Sequence, residues 1–464
     1  MAIMLVTVPL YLKVLGNARY GVLALVWLLL GYFSVLEMGL GKATANHVAR
    51  LHDASSKERS EIFWTALFVN ACLGTLGALI LWGIGEYLLT GVLKIPQVFQ
   101  DEATEALPWM IVTLPLALVS SVLNGALEGR NCFLIANILQ VISNVVFLVV
   151  PLVTVYLYGP SLAVVIPAAV LSRTLMNIPF LVACYANVPL TLRPIVTMKA
   201  AKPLFSYGGW IALTGMAGPL LDTIDRFLIG VFLGPQAVTH YTVPMQLVSK
   251  TKIIPSSLSR ALFPKFAAGS HLDAYSLALN ALHMLTMVMT PLIVCGIVLL
   301  RPFMQYWVGD DIAAISAPLG EIFFFGVWVN SLAHIPYFLL QGKGRPDIVA
   351  KLHVAEIVPF LCLLWGLMHL WGIYGAIVAW TIRVMLEAGL LFSLSSMPKT
   401  ALRTISGPAI MIIIAIITAH GIADQSWVWR FGFATFSMIW VGWYIYSKGY
   451  GTLSKLIAKD YAAR

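Results

Sequence analysis

Long apolar runs alternate with short polar connectors along almost the whole chain. They fall at about 1–15, 21–48, 62–84, 106–128, 132–157, 161–185 and 203–232, then at 236–261, 276–300, 318–341, 347–370, 373–396, 405–422 and 427–447. Apart from the first, each approaches or exceeds the roughly 20 residues that carry a helix across a hydrocarbon core. The pattern predicts about fourteen transmembrane helices in an all-α polytopic membrane protein. Most connectors are too short for a folded extramembrane domain, so backbone polar groups must be satisfied within helices.

The runs repeat. ALEGRN at 126–131 resembles LLQGKGRP at 339–346, aligning Gly129 with Gly342 at an offset of 213. YLYGPSLA at 156–163 resembles HLWGIYGA at 369–376, aligning Gly159 with Gly372 at the same offset, and Leu15-Gly16 matches Leu233-Gly234 at 218. Agreement at three places predicts two six-helix halves. Six is even, so the halves share one membrane orientation and form parallel repeats. The expected organisation is an N-terminal lobe at 1–190, a cytoplasmic linker at 191–202, a C-terminal lobe at 203–400, and two extra helices with a basic tail at 401–464. Projecting the seventh span back by the offset predicts that the first span lacks about fifteen residues. Its N-terminus has no basic n-region and no cleavage site, so no signal peptide is expected.

Composition strengthens this picture. Of 464 residues, 60% are hydrophobic and 11% charged, against roughly 25% charged in a soluble domain. The net charge of +9 suggests a nucleic-acid partner only until the basic residues are placed. Twenty of the 29 Lys and Arg, from Arg50 to Arg464, fall in alternate connectors on one face. Five (Lys13, Arg19, Lys94, Arg301, Arg430) fall on the other, and four (Lys42, Arg173, Arg226, Arg383) lie within spans. That asymmetry follows the positive-inside rule and predicts both termini in the cytoplasm, with no nucleic-acid partner. The opposite, outer face carries the acidic connector 86–105, which reads as a short amphipathic segment at the interface. Five cysteines without C-x-x-C spacing read as small buried hydrophobes.

Enzyme signatures are missing. GLGKAT at 39–44 lacks the first glycine and the final Ser or Thr of a phosphate loop, and neither H-E-x-x-H nor G-x-S-x-G occurs. No cofactor, metal or catalytic residue is expected. The candidate chemistry lies in ionisable groups at membrane depth, which are costly there and mark pathways. Asp222 and Arg226 stand four residues apart, acid first, as a helical ion pair, which leaves Asp225 in need of a partner. Arg173 and Arg383 occupy related places in the two halves; Glu387 is spaced to neutralise Arg383, whereas Arg173 has no acid at helical spacing. Glu37 and Lys42 in the second span and Glu356 in the eleventh complete the set.

The run VPLYLKVLGNARYGVLAL…SVLEMGLGKATANHVA, together with DRFLIGVFLGPQAV…Y in the second half, resembles the polysaccharide-unit flippases. These are the O-antigen and exopolysaccharide transporters of the multidrug/oligosaccharidyl-lipid/polysaccharide exporter superfamily. The resemblance implies two six-helix lobes around a central cavity in a bacterial inner membrane. Its implied cargo is an undecaprenyl-pyrophosphate-linked oligosaccharide moved to the periplasmic leaflet by alternating access. It implies Lys42, Arg173, Arg226 and Arg383 as pyrophosphate partners. Without a nucleotide-binding motif, an ion gradient or membrane potential is the expected drive, with Glu37, Asp222, Asp225 and Glu356 as coupling candidates. Expected partners are the lipid-linked substrate, membrane lipid and other polysaccharide-assembly membrane proteins. The alternatives are a multidrug exporter of the same superfamily and a non-transporting scaffold.

Overall fold

A computed structural model of the chain describes residues 2–51, 55–188, 190–191, 194–198, 201, 220–221, 223–268, 271–397, 400–421 and positions 432, 435 and 439. Nearly all of them are helical. Among the described residues, eight helices are long and apolar enough to cross a membrane, so the chain is a multi-pass membrane protein. The last of the fourteen expected spans, 427–447, lies largely outside the described residues.

The helices are α1 (Ala2–Arg50), α2 (Ser56–Tyr87), α3 (Gln97–Gly129), α4 (Phe133–Tyr158), α5 (Leu162–Asn187) and α6 (Ile224–Phe232). They continue as α7 (Pro235–Val248), α8 (Ile253–Ala268), α9 (His271–Val308), α10 (Asp310–Gly342), α11 (Pro346–Leu394) and α12 (Thr400–Gly421). Two of these each hold two expected spans. Helix α11 has 49 residues, about 70 Å of helix, which is more than twice a hydrocarbon core. It is broken at Gly372, whose φ of 57° and ψ of −132° belong to a region open to glycine. His353 and Glu387, on opposite sides of that break, are hydrogen-bonded, so the two segments fold back antiparallel. Helix α1 is broken in the same way at Gly16.

The expected amphipathic segment at 86–105 is not a separate element. Helix α2 runs on through a π-helical turn at Leu88–Val92, and α3 begins at Gln97 behind Pro96. Glu102, in the first turns of α3, accepts from the Leu162 backbone N–H at 2.9 Å and pairs with Arg19 at 2.7 Å. It thereby supplies negative charge to the N-terminus of α5.

The chain forms two compact units, Met1–Thr239 and His240–Arg464. In the first, α3 packs against α1, α2 and α5. Small residues allow this close approach: a Cβ on Gly125 would stand 2.3 Å from the Gly41 carbonyl oxygen, and one on Gly129 would stand 2.6 Å from that of Ala45. In a membrane, where lipid is as apolar as leucine, such backbone-to-backbone packing is what joins helices. Helix α4 is the lipid-facing extreme, with 17% of its apolar window buried against 56% for α3. Residues 223–239 pack with this unit too. Gly21 leaves no room for a Cβ beside Pro235, and Thr239 Oγ1 donates to the Asn17 carbonyl at 2.7 Å. In the second unit, α10 holds the central place, packed against α8, α9 and α11 with 67% of its window buried.

The backbone repeats along the chain. Helices α3 and α10 are both 33 residues long, and Gln97 and Gly129 map onto Asp310 and Gly342 at the offset of 213. Left-handed residues pair likewise: Asn131 with Gly344 and Gly159 with Gly372 at 213, and Gly16 with Gly234 at 218.

Candidate functional site

The first unit contains a polar cavity of about 370 Å³ between α1, α3, α4 and α5. Helical spacing builds it. From α3 come Ser120, Ser121, Asn124 and Glu128; from α4 come Gln140, Ser143, Asn144 and Phe147. Helix α5 adds Arg173, Met176, Asn177 and Phe180, and α1 closes the wall with the backbone of Gly41. The α4 and α5 sets both follow i, i+3, i+4, i+7, which places each on one helix face. Ser120 Oγ donates to Asn177 Oδ1 at 2.6 Å, and Asn124 Nδ2 donates to Glu128 Oε1 at 2.8 Å. Asn177, which lines the cavity, has its Nδ2 buried without a hydrogen-bond partner, a donor that an added acceptor would satisfy. The cavity therefore combines one guanidinium, one carboxylate, four carboxamides and three hydroxyls beside two aromatic rings.

Arg173 is thus a sequence candidate that lines this cavity. Asn124, Gln140, Asn144, Asn177 and Glu128 were missed. Their signal, a polar stripe at helical spacing inside three consecutive apolar runs, is present in the sequence but carries little charge.

The second unit brings together two other candidates, Arg383 and Glu356, with His353 and Glu387. Arg383 Nη2 lies 3.4 Å from Glu387 Oε2, the spacing foreseen from sequence, and its guanidinium stacks 5.4 Å over Phe360. His353 Nε2 meets the other oxygen of Glu387 at 3.1 Å. Both carboxylate oxygens of Glu356 are buried and accept no hydrogen bond. Arg383, buried and held by Glu387, is already neutralised.

The third group lies on α6. Asp225 is fully buried, accepts from the Arg226 backbone N–H at 2.7 Å, and lies 3.7 Å from Arg226 Nε. Arg226 is therefore paired with its neighbour in sequence. Asp222 lies outside the described residues. Glu37 and Lys42 are on helix α1, and their side chains are outside the described part.

The comparisons with known proteins agree with this architecture. A sequence model of the family described as polysaccharide biosynthesis protein matches residues 13–317. The chain is 27% identical over 383 residues to a protein named "Putative O-antigen transporter" from Shigella flexneri, covering 81% of this chain and 90% of that one. Among solved structures, the lipid II flippase MurJ in an inward closed conformation superposes with a TM-score of 0.75 at 13% identity, covering 96% of both chains. An inward-facing multidrug resistance MATE transporter of the MOP superfamily gives 0.72 at 16% identity, over 86% of this chain and 95% of that one. The chain belongs to the polysaccharide biosynthesis protein family, and its fold is that of the MOP-superfamily transporters.

Proposed function

We propose that the protein flips a lipid-linked oligosaccharide, carried on undecaprenyl pyrophosphate, from the cytoplasmic to the periplasmic leaflet of a bacterial inner membrane. The cavity of the first unit receives part of the polar head group. The observation that carries this reading is Arg173 among carboxamides and hydroxyls at membrane depth. A guanidinium matches a phosphate oxygen pair, and amide and hydroxyl groups match the alternating donors and acceptors of a sugar. Such groups are expensive to bury in a bilayer unless a ligand uses them. The membrane names of the relatives, an O-antigen transporter and a lipid II flippase, are consistent with this cargo class. Both termini face the cytoplasm in this reading, and an ion gradient or the membrane potential drives the cycle.

The test is complementation of a strain lacking its polysaccharide-unit flippase, supplied with the cognate glycan. Wild type restores surface glycan, and Arg173→Ala at equal membrane abundance lowers apparent cargo affinity about tenfold to a hundredfold, as for loss of a charge-assisted hydrogen bond. Arg173→Lys recovers part of it. Full activity of Arg173→Ala would sink the assignment, and drug resistance without glycan export would favour the exporter alternative.

A further inference from the structure

The two units carry different chemistry on corresponding hairpins, at matching positions of the first segment of each. At the offset of 213, Gln140 and Ser143 of the first-unit cavity correspond to His353 and Glu356 of α11, and Val170 and Thr174 correspond to Arg383 and Glu387. Where the first unit presents an amide-lined cavity, the second presents two carboxylates, a guanidinium and an imidazole, laced across the segments on either side of Gly372.

We propose that the His353–Glu356–Arg383–Glu387 cluster is a proton-binding site that takes up and releases one proton in each transport cycle. The proposal rests on the transport reading given above and assigns the coupling step to the second unit.

Charge counting supports a single proton. Arg383 is permanently charged, so with neutral His353 and both glutamates ionised the cluster carries a net charge of one negative unit. One added proton makes it neutral, and a buried group of charges tolerates neutrality far better than a surplus. Hydrogen bonding says where the proton rests. Glu387 is served by Arg383 and His353, whereas both oxygens of Glu356 are buried without a donor. An ionised carboxylate in that position has nothing to replace its lost water; a carboxylic acid needs far less. His353, three residues earlier on the same helix face, provides a titratable neighbour through which the proton can pass to and from Glu356.

The groups facing the cluster from other elements fit the assignment. Tyr337 of α10 stacks on His353 with ring centroids 6.1 Å apart. Lys252, in the 3-10 turn before α8, stands 5.6 Å from the Trp380 ring and close enough to Glu387 for its charge to act there. Release of the proton thus leaves a negative charge with a lysine within electrostatic reach. On α10 and α11, Leu340, Val349, Leu352, Ala388 and Leu391 form a buried apolar cluster against which Tyr337 packs.

The experiment uses the full-length protein reconstituted in lipid vesicles, followed by infrared difference spectroscopy during a pH titration. Wild type should show a protonated-carboxyl C=O band that titrates with pH and is indifferent to sodium. The band should vanish in Glu356→Gln, and its midpoint should move in His353→Gln, which installs the first-unit residue. A band that persists in Glu356→Gln, or one that sodium abolishes in place of protons, overturns the proposal. In the same vesicles, an imposed pH gradient should accelerate flipping of a lipid-linked oligosaccharide by wild type and leave Glu356→Gln unaffected. Gradient dependence surviving in that variant would also overturn it. Absence of flipping by wild type strikes the cargo reading instead, while the carboxyl band decides the proton site on its own.

Discussion

Asn177 uses its Oδ1 to accept from Ser120 and leaves Nδ2 buried and unmatched. A residue kept for packing would gain from replacement by leucine, since the unpaired amide costs free energy. A residue kept for a ligand would not. Asn177→Leu is therefore expected to hold or raise thermal stability in detergent while lowering apparent cargo affinity about threefold to tenfold, the worth of one neutral hydrogen bond. A melting curve and a flipping assay on one preparation check both. At this scale the sequence was only partly legible. Charged residues in apolar runs stand out, and Arg173, Arg383 and Glu356 all proved to lie in polar clusters. Asparagine and glutamine do not stand out, because a hydropathy average over some twenty residues absorbs an amide as easily as a serine. The contact between Arg226 and Asp225 was hidden for another reason: adjacent residues point to different helix faces in an uninterrupted helix, but Asp225 lies in the first turn of α6, where its carboxylate bends back to the next backbone N–H.

Helix α3 shows how an element is held. Ser121, Gly125 and Gly129 present a flat strip to Gly41 and Ala45 of α1, with no room for a methyl group at Gly125. Gly125→Val should force the helices apart, destabilise the first unit by about 1–3 kcal/mol as overpacking does, and distort the cavity wall that Gly41 forms. Lower extraction yield and a lower melting temperature would register it; unchanged stability would mean that α1 and α3 have slack. Elements were the most legible level of this chain. Among the described residues the apolar runs are helical, and the interruptions at Gly16 and Gly372 fell where the runs broke. The acidic stretch 86–105 misled because Glu86 belongs to the end of α2, while Asp101, Glu102 and Glu105 lie in the second and third turns of α3, with Glu102 held by Arg19 and the Leu162 N–H. An acidic patch between two apolar runs looks the same whether it is a loop or two helix ends.

For the whole molecule, the internal repeat was legible from three short matches, and the backbone carries it further, into matched helix ends and matched left-handed residues. What the repeat does not convey is that residues 223–239, which belong to the second half by sequence, pack with the first unit. Periodicity reports duplication of local geometry, whereas packing is decided by which surfaces meet, here Gly21 against Pro235. The chemistry diverged while the geometry stayed: corresponding hairpins carry an amide-lined cavity once and an ionic cluster once.

Matched left-handed residues mean that the chain carries its own control experiment. Read out as a substitution scan, its tolerance profile from 97 to 181 laid over that from 310 to 394 is expected to coincide where backbone conformation dictates the residue. Alanine at Gly159 and at Gly372 should each incur about 1–2 kcal/mol for the unfavourable left-handed backbone. The two profiles are expected to separate at Gln140 against His353 and at Ser143 against Glu356. Sites where twin positions disagree would then mark where two copies of one ancestral hairpin took up different work.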